Sequence, residues 1–184
     1  MYADSTLTPK EAVRLCALGT LALGPQRYSS LASAVRHFVS HILGPSLDLM
    51  GTSIELLKYE GLVEPSNGVG MVDDAMLTLT AKGRDELNTL LTARVRAAAT
   101  ELNRLIVSLK FRFLHLLTPK QQRVQVEMLS DVIENEIARL TALRGDHAAS
   151  GGHLVSWLDN EVALLESRLQ WLQALRARLE AKSA

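Results

Sequence analysis

The chain has 184 residues, 47% of them hydrophobic but only 4% aromatic, with 20 Lys plus Arg balanced by 20 Asp plus Glu. That length suits one compact domain with an appendage, or two small modules. Apolar positions dominated by Leu, Ala and Val favour helix over a large sheet, and a formal net charge of zero excludes any argument for nucleic acid or membrane from bulk charge. The bases up to Leu90 are Lys10, Arg14, Arg27, Arg36, Lys58, Lys82 and Arg84, outnumbered by acids; the remainder is mildly basic. The single cysteine, Cys16, lies in an apolar stretch and cannot close an intrachain bridge, which fits a reducing compartment. Met1 to Pro9 lacks a charged start followed by an apolar run, and the longest apolar runs are too short for a bilayer, so the expected location is the cytoplasm, with no membrane partner.

Thr8, Pro9 and Glu11 open a first helix, with Thr as N-cap, Pro at the first helical position and Glu at the positive end of the dipole. Val13, Cys16, Leu18, Leu21 and Leu23 form its apolar face, and Gly24 with Pro25 ends it. A second helix starts near Ser29 or Ser30 and carries Leu31, Val35 and Phe38. Gly44 and Pro45 break it. Ser46 then caps a third helix with Leu47, Met50, Ile54 and Leu57 on one face, ending at Gly61. Leu62 and Val63 lead into Pro65, Ser66, Asn67, Gly68 and Gly70, a hairpin tip, and Met76 to Leu79 alternates as the returning strand. Three helices followed by a hairpin is the order of a winged helix.

Beyond Thr80 the apolar spacing becomes three-and-four. Leu91, Val95, Ala98, Leu102, Leu105, Leu109 and Leu116 define one seam, which predicts a helix from Ala81 to Leu117; at 1.5 Å per residue it would be about 50 Å long. Thr118 and Pro119 start a second long helix with Val126, Leu129, Ile133, Ile137 and Leu140 as its seam and Gly145 as its stop. Ser150, Gly151 and Gly152 lie in a flexible connection. The last helix carries Leu158, Val162, Leu165, Leu169, Leu172 and Leu179, with a neighbouring row of Trp157, Leu164, Trp171 and Leu175. Stripes this wide argue for burial against a second copy. The expected architecture is mainly α: a winged helix-turn-helix head over residues 1–83, and long helices over residues 84–184 forming an antiparallel, coiled-coil-like dimerisation domain. The candidate dimer residues are Leu102, Leu109, Leu129, Ile133, Leu158, Val162, Leu165, Leu169 and Leu172.

Three segments resemble PadR-type winged-helix regulators. They are Ala17-Leu18-Gly19-Thr20-Leu21-Ala22-Leu23-Gly24-Pro25 with Tyr28 and Leu31, then Ile54-Glu55-Leu56-Leu57-Lys58-Tyr59-Glu60-Gly61-Leu62-Val63, then Leu77-Thr78-Leu79-Thr80-Ala81-Lys82-Gly83-Arg84. The long C-terminal half is similar to the AphA-like branch of that family. The resemblance implies a homodimeric, sequence-specific, DNA-binding transcriptional regulator whose recognition helices sit over half-sites of double-stranded DNA. The sequence departs from the family pattern at Gly51, where a large residue is expected, and at Asp73 and Asp74, which make the wing acidic. Those departures motivate an alternative: a winged-helix protein-interaction module without DNA binding.

If the third helix enters a major groove, Thr52, Ser53 and Tyr59 occupy its exposed face. Ser46, Arg36, His37 and Lys58 are then the remaining candidate contacts. His37 and His41 stand four apart, but no third ligand lies nearby in sequence; a surface pair, or one His near phosphate, is the simpler reading, and no metal or cofactor is expected. Trp157 and Trp171 are two heptads apart. Packing in a dimer core explains them, while the family resemblance also implies a possible pocket there for a small aromatic effector. The sequence contains no Gly-rich phosphate loop, nucleophile elbow, or paired Cys or His-Glu metal motif, so no enzymatic activity is expected.

Overall fold

The first helix organises everything around it. Thr8 accepts from the Glu11 amide through its hydroxyl, and the Glu11 carboxylate accepts from the Thr8 amide at 2.7 Å, a reciprocal capping box that starts α1 (Pro9–Ala22) as anticipated. Ala12, Val13, Leu15, Cys16, Ala17, Leu18 and Leu21 are all buried, so α1 is surrounded by other elements. In the computed structural model, residues 6–43, 53–66, 75–95, 100–149 and 152–181 are described.

After Gly24, whose φ of 152° suits glycine, Pro25 leads into a two-residue strand, β1 (Gln26–Arg27). This strand was not foreseen, because two residues carry no periodicity. Next come α2 (Tyr28–Leu43) and α3 (Ser53–Tyr59), then β2 (Val63–Pro65) and β3 (Met76–Leu79). The sheet order is β1-β3-β2 and all pairings are antiparallel, with Gln26 opposite Leu77 and Val63 opposite Leu79. The expected break at Gly44 and Pro45, the first turns of the third helix from Ser46 to Thr52, and the hairpin tip with Gly68, Gly70, Asp73 and Asp74 lie outside the described residues.

The single helix expected from Ala81 to Leu117 does not form. Instead α4 (Ala81–Thr92) ends where Ala93 takes ψ 151°, and α5 (Glu101–Phe113) begins anew from Thr100, whose hydroxyl accepts from the Asn103 amide. A short 3₁₀ turn, Leu114–Leu116, closes the segment. Tertiary packing explains the break. Folding back lets Leu87, Leu90 and Leu91 of α4, and Leu105, Ile106, Leu109 and Phe113 of α5, enter the same core as α1. Gly19 admits the Phe113 ring, which a Cβ would meet at 2.5 Å. The three-and-four spacing was therefore real, but it served two helices.

Lys110, on α5, is buried and donates from Nζ to the carbonyl of Leu91 at 2.6 Å, satisfying an end group of α4. Cys16 is also buried, and its thiol is pushed up to about 11 by burial, with Arg112 and Thr20 opposing the shift. It stays protonated at neutral pH and packs as a small apolar side chain.

The chain divides into two compact units, Met1–Leu117 and Thr118–Ala184. Helices α4 and α5 belong to the first unit. The second unit is a helical hairpin. Thr118 and Gln121 form a capping box for α6 (Pro119–Asp146), and α7 (Leu154–Ala181) returns against it. Each has 28 residues, about 42 Å of helix. Arg176 pairs with Glu127 at 3.4 Å and Arg144 pairs with Asp159, which makes the two helices antiparallel.

Burial lowers the Lys110 ammonium from its ordinary 10.5 to about 8. Below pH 8 the folded and unfolded chains both hold this proton, so the burial cost is carried in full. Between about pH 8 and 10.5 the unfolded chain binds the proton more tightly, and stability rises with pH. Comparing denaturant unfolding of wild type and Lys110→Met from pH 7 to 10, the wild type should gain on the variant by about 3 kcal/mol at most. A pH-independent difference between the two proteins contradicts this account.

Candidate nucleic-acid interface

The end of α3 is held by a network that uses the residues of two of the three resembling segments. Gly61, at φ 71°, ends the helix: its amide donates to the Lys58 carbonyl at 2.9 Å and the Leu62 amide donates to the Leu57 carbonyl at 2.8 Å. This pair of bonds is a Schellman motif, and the left-handed backbone at its centre favours glycine. Across from it, the Thr80 hydroxyl donates to the Gly61 carbonyl at 2.8 Å and accepts from the Gly83 amide, which starts α4. Lys82 donates from Nζ to the Glu60 carbonyl at 2.8 Å. Gly83 allows the first turn of α4 to press on this corner, since a Cβ there would lie 2.0 Å from the Leu62 carbonyl oxygen.

A second tie is ionic. Arg14 of α1 reaches Glu60 at 2.8 Å with one guanidinium nitrogen and Glu86 of α4 at 3.1 Å with the other, so three helical segments share one cation. The groups are partly exposed, which makes the ties modest in energy but directional. On the other side of α1, the Arg112 guanidinium lies 4.4 Å from the Phe38 ring centre and 5.0 Å from that of Phe113, linking α5 to α2.

The outcome is a short helix with two distinct faces. Ile54 and Leu57 are buried, whereas Glu55, Leu56 and Tyr59 are exposed, Leu56 to 44% and Tyr59 to 91%. Lys58 is half-buried. On α2, Arg36, His37 and His41 are exposed. His41 Nδ1 lies 2.7 Å from the His37 carbonyl and must carry the proton, because a carbonyl only accepts. The two rings stack at 4.1 Å. Among the described residues no group of three His, Cys, Asp or Glu side chains is arranged to hold a metal ion. Ser46 and Thr52 lie outside the described residues; Ser53 begins α3, and its side chain lies outside them too. Sequence reasoning passed over Leu56 and Glu55. The burial of Ile54 and Leu57, three apart, was the signal that could have placed both on the opposite face.

In the second unit, several residues expected to face a partner are covered by their own chain. Leu129, Ile133, Leu158 and Leu172 are buried in the unit formed by α6 and α7, and Leu109 is buried in the first unit. Val162, Leu165 and Leu169 are half-buried, as is Leu102. The row left open on α7 is Trp157, Leu164 and Trp171, exposed to 53%, 58% and 47%. The two indoles stand fourteen residues apart on one helix, about 21 Å along its axis, so they do not line a common pocket within one copy.

Three helices, a small antiparallel sheet in the order β1-β3-β2, and a hairpin following a third helix that shows one outward face define a winged-helix protein. Residues 2–176 match the family profile described as "Putative AphA-like transcriptional regulator", and the chain belongs to that family. Among solved structures, Bacillus subtilis PadR in complex with operator DNA is similar at 17% identity, covering 90% of this chain and 96% of that one with a TM-score of 0.36. The same protein with p-coumaric acid has 17% identity, coverage of 92% and 99%, and a TM-score of 0.35. For a third structure, of Bacillus subtilis PadR, the figures are 16% identity, coverage of 95% and 98%, and a TM-score of 0.39. No curated protein matches the sequence. No helix among the described residues is long and apolar enough to cross a membrane.

The corner around Gly83 predicts a sharp contrast between glycines. Gly83→Ala forces a methyl into the Leu62 carbonyl and should destabilise the first unit by about 3 kcal/mol or more. Gly145→Ala, in the last turn of α6 with nothing within 4 Å of the added Cβ, should be neutral or stabilising by up to about 1 kcal/mol. Chemical denaturation of both variants checks the pair; equal effects would contradict the close approach.

Proposed function

We propose that this chain is a cytosolic, homodimeric transcriptional regulator that binds double-stranded DNA sequence-specifically through α3. The observation that carries the reading is the outward face of α3 in a winged-helix head, in a chain that matches a family of transcriptional regulators from residue 2 to 176. Thr52, Ser53 and Tyr59 are the candidate contacts on the outer face of the third helix, and Arg36, His37, Ser46 and Lys58 are the remaining candidate contacts, Arg36 and His37 to phosphate. The first 83 residues supply the DNA-reading surface and the later helices hold the dimer, although α4 and α5 also brace the head.

The dimer contact we assign to the open row of α7. Trp157, Leu164 and Trp171 recur every seven residues, the spacing of a coiled-coil seam, and a second copy would cover three large apolar side chains that α6 leaves in solvent. The half-buried Leu165 and Leu169 flank this row, and Leu158, Val162 and Leu172 support it from the α6 side. Trp157 and Trp171, each about half exposed, are also the candidate contacts for a small aromatic effector. The two effector positions are separate within one copy.

Exposed Leu56 and Tyr59 also suit a protein-interaction module that does not bind DNA, so the experiment must separate the two. Footprinting and gel shift on the chain's own upstream region, at low and moderate salt, should show a protected two-part site, with affinity falling steeply as salt rises. In parallel, Trp157→Glu/Trp171→Glu should shift the molar mass by light scattering from dimer to monomer and weaken DNA binding by at least tenfold. Absence of saturable DNA binding, with a partner protein retained at high salt, favours the interaction module.

A further inference from the structure

Resting on the DNA-binding reading above, the outward face of α3 narrows which bases it takes. From Ile42 to Leu57 the sequence contains no Lys or Arg. The commonest specific contact in a major groove is a bidentate Arg or Lys on guanine O6 and N7. No residue in that stretch can make it, and Lys58 beyond it is half-buried.

What α3 offers instead is apolar and acidic. Leu56 is 44% exposed although Ile54 and Leu57 beside it are buried, so the helix spends a branched aliphatic side chain on its solvent face. Tyr59 follows at i+3 on the same face. Glu55 stands beside Leu56 and is exposed. In the major groove, thymine alone among the four bases presents a methyl group, and an aliphatic side chain gains by covering it. A carboxylate is repelled by the paired acceptors of guanine. Leu56 thus rewards thymine, and Glu55 penalises guanine.

We infer that Leu56 is a specificity-determining residue that reads the C5-methyl of a thymine in each half-site, with Glu55 excluding guanine beside it. Tyr59, at the C-terminal end of the helix, positions the reading head by donating its hydroxyl to a phosphate oxygen. The Schellman end of α3, the Arg14 ion pairs and the Gly83 contact hold Leu56 at a set distance from the groove, which a contact of a single methyl requires.

The test uses the full-length chain. Sites are selected from a random duplex pool, and each selected thymine is then replaced singly by deoxyuridine, which keeps the base pair and removes only the methyl. For wild type, one replacement per half-site should weaken binding by about fourfold, the worth of one buried methyl group. For Leu56→Ser the same replacement should have no effect, the variant should already bind thymine-containing sites more weakly, and its salt dependence should match wild type because no phosphate contact is lost. Leu56 is exposed, so the variant's unfolding midpoint should be unchanged. Selection of sites without thymine preference, or an equal deoxyuridine effect in wild type and Leu56→Ser, overturns the assignment while leaving DNA binding intact. Failure to enrich any sequence at low salt removes the DNA-binding reading itself, and this inference with it.

Discussion

The contact between the first turn of α4 and the Leu62 carbonyl sets the geometry of the first unit. Because Gly83 has no Cβ, a helix start can lie directly on the backbone that leaves α3, and Thr80 completes the joint by capping α4 while donating to Gly61. Helix α3, the wing strands and α4 therefore meet in one corner made of backbone groups. Such a corner transmits orientation better than side-chain packing, since it has few alternative rotamers. Arg14 then ties the corner to α1, the most buried helix of the unit. The pose of the α3 outer face follows from these contacts.

The second unit obeys a different logic. Two antiparallel helices cover only one stripe of each other, and an isolated hairpin of this kind leaves a large apolar area in water. On α7 the covered residues are Leu158 and Leu172 with the half-buried Val162, Leu165 and Leu169 between them, while Trp157, Leu164 and Trp171 each stand one position before Leu158, Leu165 and Leu172. A face broad enough for two partners has found one inside its own chain. The proposed second copy satisfies the other, and in doing so would set the distance between two DNA-reading heads.

Charge explains why the nature of the interface was hard to read. Winged helices commonly advertise nucleic-acid binding by clustered bases, yet here α3 carries Glu55 and is followed by Glu60, whose carboxylate is committed to Arg14. Counting Glu60 as a free acid overstates the local negative charge. The apolar Leu56 is equally ambiguous in a sequence, where a Leu between Ile54 and Lys58 looks like one more core position. Only the direction of the side chain shows that it faces out.

Much of the molecule was written locally. The capping boxes at Thr8 and Thr118, the Gly61 stop, the alternation of Met76 to Leu79 and the helical seams of α6 and α7 each depend on neighbours within a few residues, so spacing alone determined them. Tertiary structure decided the rest. It broke the apparent helix from Ala81 to Leu117 at Ala93, because periodicity records which residues want burial but not whether one helix or two will bury them. It gathered α4 and α5 into one compact unit with α1, and it chose which row of α7 met α6 and which stayed in solvent. In each case the deciding energy came from contacts between residues far apart in the chain, and no local pattern encodes those.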